Sequence, residues 1–259
     1  MVNASSESLL GLPAPAADHR LAYGPDPQQF GELRLPAGAG PHPLAIALHG
    51  GFWRAKYDLA HLGHLCAAIT AAGIATWSVE YRRVGNPGGG CPGTLDDVAL
   101  GALYARGLAA RYSIDSARVA AFGHSAGGQL ALWLGARRVL PLRGIVALAP
   151  VSDLVQASAL RLGSGITDTF LGGTPREVPA RYADASPRAR LPLGLPQLLL
   201  HGREDDTVPI TMSEEYVAAA RAAGDEARLL AFEGAGHFEL IDPRTPEGRA
   251  VVEALQQLL

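Results

Sequence analysis

Charge is scarce in this chain of 259 residues. Asp, Glu, Lys and Arg make up 18% of it, and the net charge of −3 arises from interspersed signs with no run of Lys or Arg. Nucleic acids and anionic membranes are held by basic runs or faces. Their absence argues against both as partners and leaves a small, largely neutral molecule. Cysteine is nearly missing as well: Cys66 and Cys91 are too few for the disulfide framework of a small secreted domain, although a single bridge between them stays open. No apolar run approaches the ~20 residues that span a membrane. Residues 1–12 have neither the basic start nor the apolar centre of a secretory signal. A soluble, cytoplasmic protein is the expectation, with no cofactor and no metal; its oligomeric state is left open.

What is present is apolar and rich in turns. Hydrophobic residues reach 48%, with 31 Gly and 19 Pro, which describes a globular chain with many stiff loops. Its length suits one domain over residues 1–259, large enough to bury a core without metal or disulfide.

The stretch around which the rest is organised is Val119-Ala120-Ala121-Phe122, which ends in Gly123-His124-Ser125-Ala126-Gly127-Gly128 and leads into an apolar helix pattern from Gln129 to Leu134. Strand, sharp turn and helix in this order place Ser125 at a strained tip, with glycines on both sides so that strand and helix can approach. The geometry aims the Ala126 amide and the helix N-terminus at whatever the hydroxyl attacks. A glycine-rich connection or a phosphate cradle has the same local pattern. A serine nucleophile, however, also requires an acid and then a histidine downstream.

The chain supplies both. Up to about Asp18 it reads as an irregular arm with no assigned function, followed by two edge strands near residues 21–23 and 30–35. Leu44 to Leu48 is a buried strand that ends in His49-Gly50-Gly51-Phe52-Trp53, a bare loop whose Gly51 and Phe52 amides can join Ala126 in an oxyanion hole. His61 and His64 lie three apart on a helical pattern; with no third ligand in a recognisable spacing they read as a solvated helix face rather than a metal site. Ile74 to Tyr81 is the next strand. Thr94 and Asp97 resemble a capping box opening a helix from Leu95 to Tyr112, which makes Asp96 and Asp97 helix-start charges. Gly144 to Ala149 is again a strand, and the alternation predicts an α/β architecture: a mostly parallel sheet of about eight strands covered by helices on both faces. Residues 152–190 break the pattern and read as a small cap over Ser125. Gln197 to Gly202 is a strand followed by Glu204, Asp205 and Asp206, and Ala227 to Phe232 is a strand followed by a glycine-rich loop carrying His237. Thr245-Pro246 opens the last helix, with Val252, Leu255 and Leu259 on its apolar stripe.

Together these residues describe acyl transfer. An imidazole titrates near neutral pH and can take the serine proton; a buried carboxylate orients the imidazole; backbone amides hold the oxyanion. The set is Ser125, His237 and Asp205, with Gly51, Phe52 and Ala126 around the oxyanion.

Across residues 19–259 the chain resembles the α/β-hydrolase fold. The resemblance is carried by His49-Gly50-Gly51-Phe52-Trp53, by Gly123-His124-Ser125-Ala126-Gly127-Gly128, and by His201 to Pro209 with His237. Within that fold it is similar to bacterial esterases related to kynurenine formamidase and to the hormone-sensitive-lipase-like group. It departs from the lipase-like pattern, where a third glycine usually stands in place of the aromatic pair. The resemblance implies Asp205 as the acid, three residues after His201-Gly202, with Glu204 and Asp206 as alternatives and Asp153 as structural. It implies hydrolysis of small carboxylic esters, with arylformamidase and peptidase activity and a non-catalytic binding module as alternatives. Phe52 and Trp53 of the loop, and Phe170 with Leu162, Ile166 and Leu171 of the cap, are expected to make the substrate pocket apolar.

Overall fold

The computed structural model describes residues 4–259. A helical turn α1 (Ala4–Glu7), continued by a 3-10 turn (Ser8–Gly11), leads to strands β1 (His19–Ala22) and β2 (Phe30–Arg34). Strands and helices then alternate: β3 (His42–Leu48), α2 (Gly63–Ala71), β4 (Ala75–Val79), α3 (Gly93–Arg111), β5 (Ile114–His124), α4 (Ala126–Arg137) and β6 (Ile145–Leu148). A helical excursion follows, α5 (Leu154–Ala159), α6 (Leu162–Leu171) and α7 (Pro179–Ala185), and the chain closes with β7 (Gln197–Gly202), α8 (Thr211–Ala222), β8 (Ala227–Phe232) and α9 (Pro246–Leu258).

The eight strands form one sheet in the order β1-β2-β4-β3-β5-β6-β7-β8, antiparallel at β1/β2 and β2/β4 and parallel elsewhere. The continuous apolar runs are explained by burial on both faces. Leu44, Ile46 and Leu48 enter one core with Ala121, Ile145 and Ala147, whereas Ala45 and Ala47 enter the other with Ala120, Phe122, Val146 and Leu148. Helices α3, α4 and α8 cover the first face, and α2 and α9 the second. This is the α/β-hydrolase fold. Because β4 lies on one side of β3 and β5 on the other, the chain leaves the carboxyl ends of β3 and β5 in opposite directions. A crevice opens between them, as in open α/β sheets generally. On α9 the buried stripe is Val251, Ala254 and Leu255, one residue earlier at its start than the sequence pattern indicates. Cys66 and Cys91 are free thiols, and burial pushes the Cys66 thiol up to about 11. No helix among the described residues is long and apolar enough to cross a membrane.

The expected capping box does not form. Helix α3 begins at Gly93, the Thr94 hydroxyl donates to the Arg82 carbonyl at 2.5 Å, and Asp97 turns inward with 1% of its surface exposed. There it takes the Arg82 guanidinium in two hydrogen bonds of 2.8 and 2.7 Å and accepts from Gln29 at 2.7 Å. A carboxylate that joins three distant segments is stabilised more by this pairing than by a solvent-screened helix end. Asp97→Ala leaves the Gln29 amide and the Arg82 guanidinium without their acceptor. The variant is expected to lose about 3 kcal/mol of stability in urea unfolding, with hydrolytic turnover per folded molecule unchanged; a loss under about 0.5 kcal/mol would show the pair to be ornamental.

Candidate active site

Strand β5 ends at His124 and α4 begins at Ala126, so Ser125 alone makes the turn, at φ 57° and ψ −119°. Its amide donates to the Leu148 carbonyl at 2.8 Å, which ties the turn to β6. The flanking residues must be glycine: a Cβ on Gly123 would lie 2.2 Å from the Gly127 carbonyl oxygen, and one on Gly127 2.0 Å from that of Leu48. The Ser125 hydroxyl therefore sits at the N-terminus of a 12-residue helix, where the helix dipole and free amides favour negative charge.

The loop after β3 is held from below. Buried His49 stacks on Tyr81 (4.3 Å between centroids), accepts the Tyr81 hydroxyl on its carbonyl at 2.6 Å, and bonds through Nε2 to Glu80 Oε1 at 3.1 Å. Glu80 also pairs with Arg83 at 2.5 Å and accepts the Leu59 amide at 3.0 Å. Burial opposes that carboxylate's charge, but His49, Arg83 and the Tyr81 amide outweigh it and hold its pKa below the ordinary value. Gly51, Phe52 and Trp53 follow with φ of 105°, 51° and 53°, three left-handed residues in succession. Such a run turns amides rather than side chains toward one centre. Among the described residues the structure records no acceptor for the amides of Phe52 and Ala126.

Trp53 and Phe170, expected in the pocket, stand in the core instead. Trp53 is fully buried, donates its Nε1 to Gln129 Oε1 at 3.0 Å, and stacks on Phe170 at 4.5 Å and 7°. An indole with its polar atom satisfied gains more from complete burial than from half-exposure beside a substrate. Leu162, Ile166 and Leu171 likewise pack in or against this core. Phe52 is half-buried and does line the cavity, its ring against Gly163, whose carbonyl accepts from Arg54 at 2.5 Å. Within the first turn of α6, residues 163–165 have left-handed backbone, a kink at the start of the helix. Thus residues 152–190 buttress the loop from behind and contribute no lining residue to the cavity. Asp153 caps α5 by accepting from the Val155 and Gln156 amides, a structural role.

Asp205 follows β7. Its Oδ1 accepts the Thr207 and Val208 amides at 2.8 Å each, and its Oδ2 lies 2.6 Å from His237 Nδ1 and 3.2 Å from His201 Nε2. Burial works against ionisation of this carboxyl. The hydrogen bonds from His201 and His237, the charge of His237 and the Val208 amide overcome it and place the pKa well below the carboxylate range. Glu204 and Asp206 are exposed. His201, which the sequence offered only as part of a pattern, is fully buried, with Nε2 2.9 Å from the Val208 carbonyl and Nδ1 2.7 Å from Ser213 Oγ.

Ser125 and His237 line one cavity of about 310 Å³, walled by Gly51, Phe52, Tyr57, His61, His124, Thr207 and Phe238. Two further lining residues come from the amino-terminal arm, Glu7 and Leu10. The arm has no periodic pattern by which its place could be read. His61 is not on a solvated face: its Nε2 lies 2.8 Å from His124 Nδ1.

A serine at a helix N-terminus and a histidine bonded to a buried carboxylate, in one cavity, make a serine-hydrolase-like arrangement consistent with ester hydrolysis. Comparisons with known proteins agree at this level. Over 230 residues the chain is 28% identical to uncharacterized protein Rv2307c of Mycobacterium tuberculosis, covering 86% of this chain and 70% of that one. It is 28% identical over 266 residues to the esterase LipC of the same organism, covering 92% and 64%. Among solved structures, a truncated carbohydrate esterase from gut microbiota superposes with a TM-score of 0.82 at 20% identity over 95% of this chain and 96% of the other, a likeness of fold. Neither a kynurenine formamidase nor a hormone-sensitive lipase is among these relatives. The family model that matches, over residues 53–258, is that of the prolyl oligopeptidase family, and the chain belongs to that family.

Proposed function

We propose that this protein hydrolyses small carboxylic esters through an acyl-enzyme on Ser125. The observation that carries the reading is the 2.6 Å bond from His237 Nδ1 to Asp205 in the cavity that also holds Ser125. With Nδ1–H donated to the carboxylate, Nε2 keeps a lone pair and can take the Ser125 proton as the hydroxyl oxygen attacks the ester carbonyl. The carbonyl becomes an oxyanion, which accepts hydrogen bonds from the amides of Phe52 and Ala126, with Gly51 beside them; each such donor is worth about 3 kcal/mol in the transition state. Collapse of the intermediate expels the alcohol, which receives the proton from His237. Water then enters and gives a proton to the same nitrogen as its oxygen attacks the acyl carbon; collapse of this second intermediate releases the acid, and His237 returns the proton to Ser125 Oγ.

Phe52 sets acyl length on this reading, since its ring occupies part of a cavity of about 310 Å³. Acetyl and butyryl aryl esters are expected to show higher kcat/KM than decanoyl esters, with about 1–3 kcal/mol at stake per misfitted methylene. Phe52→Gly should flatten the profile. A wild-type preference for decanoyl or longer esters would mean that the ring does not face the acyl group.

A second reading, peptide-bond cleavage, is favoured by the family to which the chain belongs and by the "uncharacterized peptidase" YuxL of Bacillus subtilis, 26% identical over 222 residues. One panel separates the readings: aryl esters, N-formylkynurenine and peptidyl anilides assayed side by side. Esters are expected to be cleaved fastest, and faster cleavage of the anilides would replace ester hydrolysis by peptidase activity.

A further inference from the structure

Two histidines in the cavity wall, His61 and His124, take no part in the proton transfers described above. His124 is the residue before Ser125 and is fully buried. Its Nε2 lies 2.9 Å from the backbone carbonyl oxygen of His237. A carbonyl can only accept, so Nε2 carries the proton. His61, on the 3-10 turn Leu59–Leu62, places its Nε2 2.8 Å from His124 Nδ1. Burial, then the charges of His237 and His61, hold the His124 ring well below the ordinary histidine range, so it stays neutral and Nδ1 is an acceptor. The His61 ring is pushed down to about 3 by burial and by His49 and His237. Neutral His61 therefore donates from Nε2, and each ring has one defined tautomer.

The chain of bonds runs His61 to His124 to the main chain of His237, and it crosses the oxyanion loop. A Cβ on Gly50 would meet His124 Nδ1 and His61 Nε2 at 3.1 Å each. The His124 and His237 rings are 4.4 Å apart. Three elements that must hold register for acyl transfer, the residue preceding the nucleophile, the base loop and the oxyanion loop, meet at this pair.

We propose that His61 and His124 form a hydrogen-bonded brace that positions His237 against Ser125. Both are positioning residues, and the inference rests on the reading of His237 as general base. Two glycines, Gly234 and Gly236, precede His237 and loosen the approach to it, and the His124 bond adds an anchor at the His237 carbonyl to the one that Glu239 gives the Gly236 amide. The donor from His124 reaches that backbone directly, at the residue whose side chain must stay within hydrogen-bond distance of both Asp205 and the serine hydroxyl. A displacement of about 1 Å at such a group can cost a hundredfold in rate.

The test compares His124→Phe, which keeps a ring of similar size but no donor, with His124→Gln, which can offer its amide N–H to the His237 carbonyl. On a short-chain aryl ester, His124→Phe is expected to lower kcat by about 10- to 100-fold with KM within about twofold, and His124→Gln to recover most of the loss. Proton NMR reads the brace without turnover: the low-field Nδ1–H signal of His237 against Asp205 should broaden or vanish in His124→Phe and return in His124→Gln. If kcat and that signal are unchanged in folded His124→Phe, there is no brace. Equal impairment of both variants would assign the effect to ring shape and overturn the hydrogen-bond role. Should His124→Phe fail to fold, His61→Phe decides: it should lower kcat by about threefold to tenfold and weaken the same signal, and no change in either overturns the proposal. An enzyme inactive on every ester would sink the proposed function yet leave the NMR comparison readable.

Discussion

Ser125→Ala will fold as the wild type does and lose about a thousandfold or more of its esterase turnover, a change of about 4 kcal/mol in activation free energy. The size follows from what is removed. Without the oxygen no acyl-enzyme forms, and the amides of Phe52 and Ala126 are left to assist only direct attack by water. Folding is spared because the backbone of Ser125 is held by the Leu148 carbonyl on one side and by the Gln129 and Val151 amides on the other, none of which involves the hydroxyl. A covalent phosphonate should label Ser125 and no other residue, and near-normal turnover of Ser125→Ala would end the mechanism. The same position stores strain. A β-carbon at φ 57° and ψ −119° is disfavoured, so Ser125→Gly should melt at higher temperature than Ser125→Ala by the equivalent of about 1 kcal/mol, while both remain inactive.

Asp205→Asn is expected to be nearly as damaging, by about a thousandfold to ten-thousandfold in kcat, and it should also weaken the fold. Both carboxylate oxygens face donors: two backbone amides at Oδ1 and two imidazole N–H groups at Oδ2. An amide NH2 at either position meets a donor with no acceptor to offer, at a cost of about 1–3 kcal/mol for each buried group left unpaired. If it turns its nitrogen toward His237, it also selects the wrong imidazole tautomer. Exposed Glu204→Gln and Asp206→Asn should stay within a few-fold of wild type, and a greater loss for Asp206→Asn would move the acid by one residue. The pH dependence has a definite sign. The folded carboxyl is depressed below its ordinary value of 3.8, so its stabilisation is complete above that value and is lost as pH falls below it. In urea titrations the stability gap between wild type and Asp205→Asn should be constant near neutrality and shrink as pH falls below about 4. A gap that widens in acid would mean that the carboxyl is not ionised in the fold.

Much of this was legible in the chain itself. The alternation of apolar runs with helical patterns gave the doubly covered parallel sheet because burial on both faces leaves no polar positions in a strand. The glycines at positions 123 and 127 marked the tight turn because backbone meets backbone there. The order of serine, acid and histidine, each just past a strand, was enough to nominate Ser125, His237 and an acid among Glu204, Asp205 and Asp206, of which the family resemblance favoured Asp205. Local chemistry, however, misassigned residues whose partners are far away. Thr94 and Asp97 look like a helix cap until Arg82 and Gln29 are brought beside them. Trp53 and Phe170 look like pocket aromatics until they are found stacked on each other. His61 looks like a surface histidine until it is seen against His124.

What the sequence by itself determined is therefore what depends on local geometry and hydrophobic period: the strands, the elbow at Ser125, and the loops that carry Asp205 and His237. Only the tertiary structure decided which side chains wall the cavity, that Glu7 and Leu10 of the arm are among them, and that His61 and His124 stand in a hydrogen-bonded row ending at the His237 carbonyl. The reason is physical. Period and turn chemistry are written in neighbouring residues, whereas a hydrogen bond between residues 63 or 113 positions apart, as between His61 and His124 and between His124 and His237, exists only after the sheet has brought the end of β5 and the segments that follow β3 and β8 together.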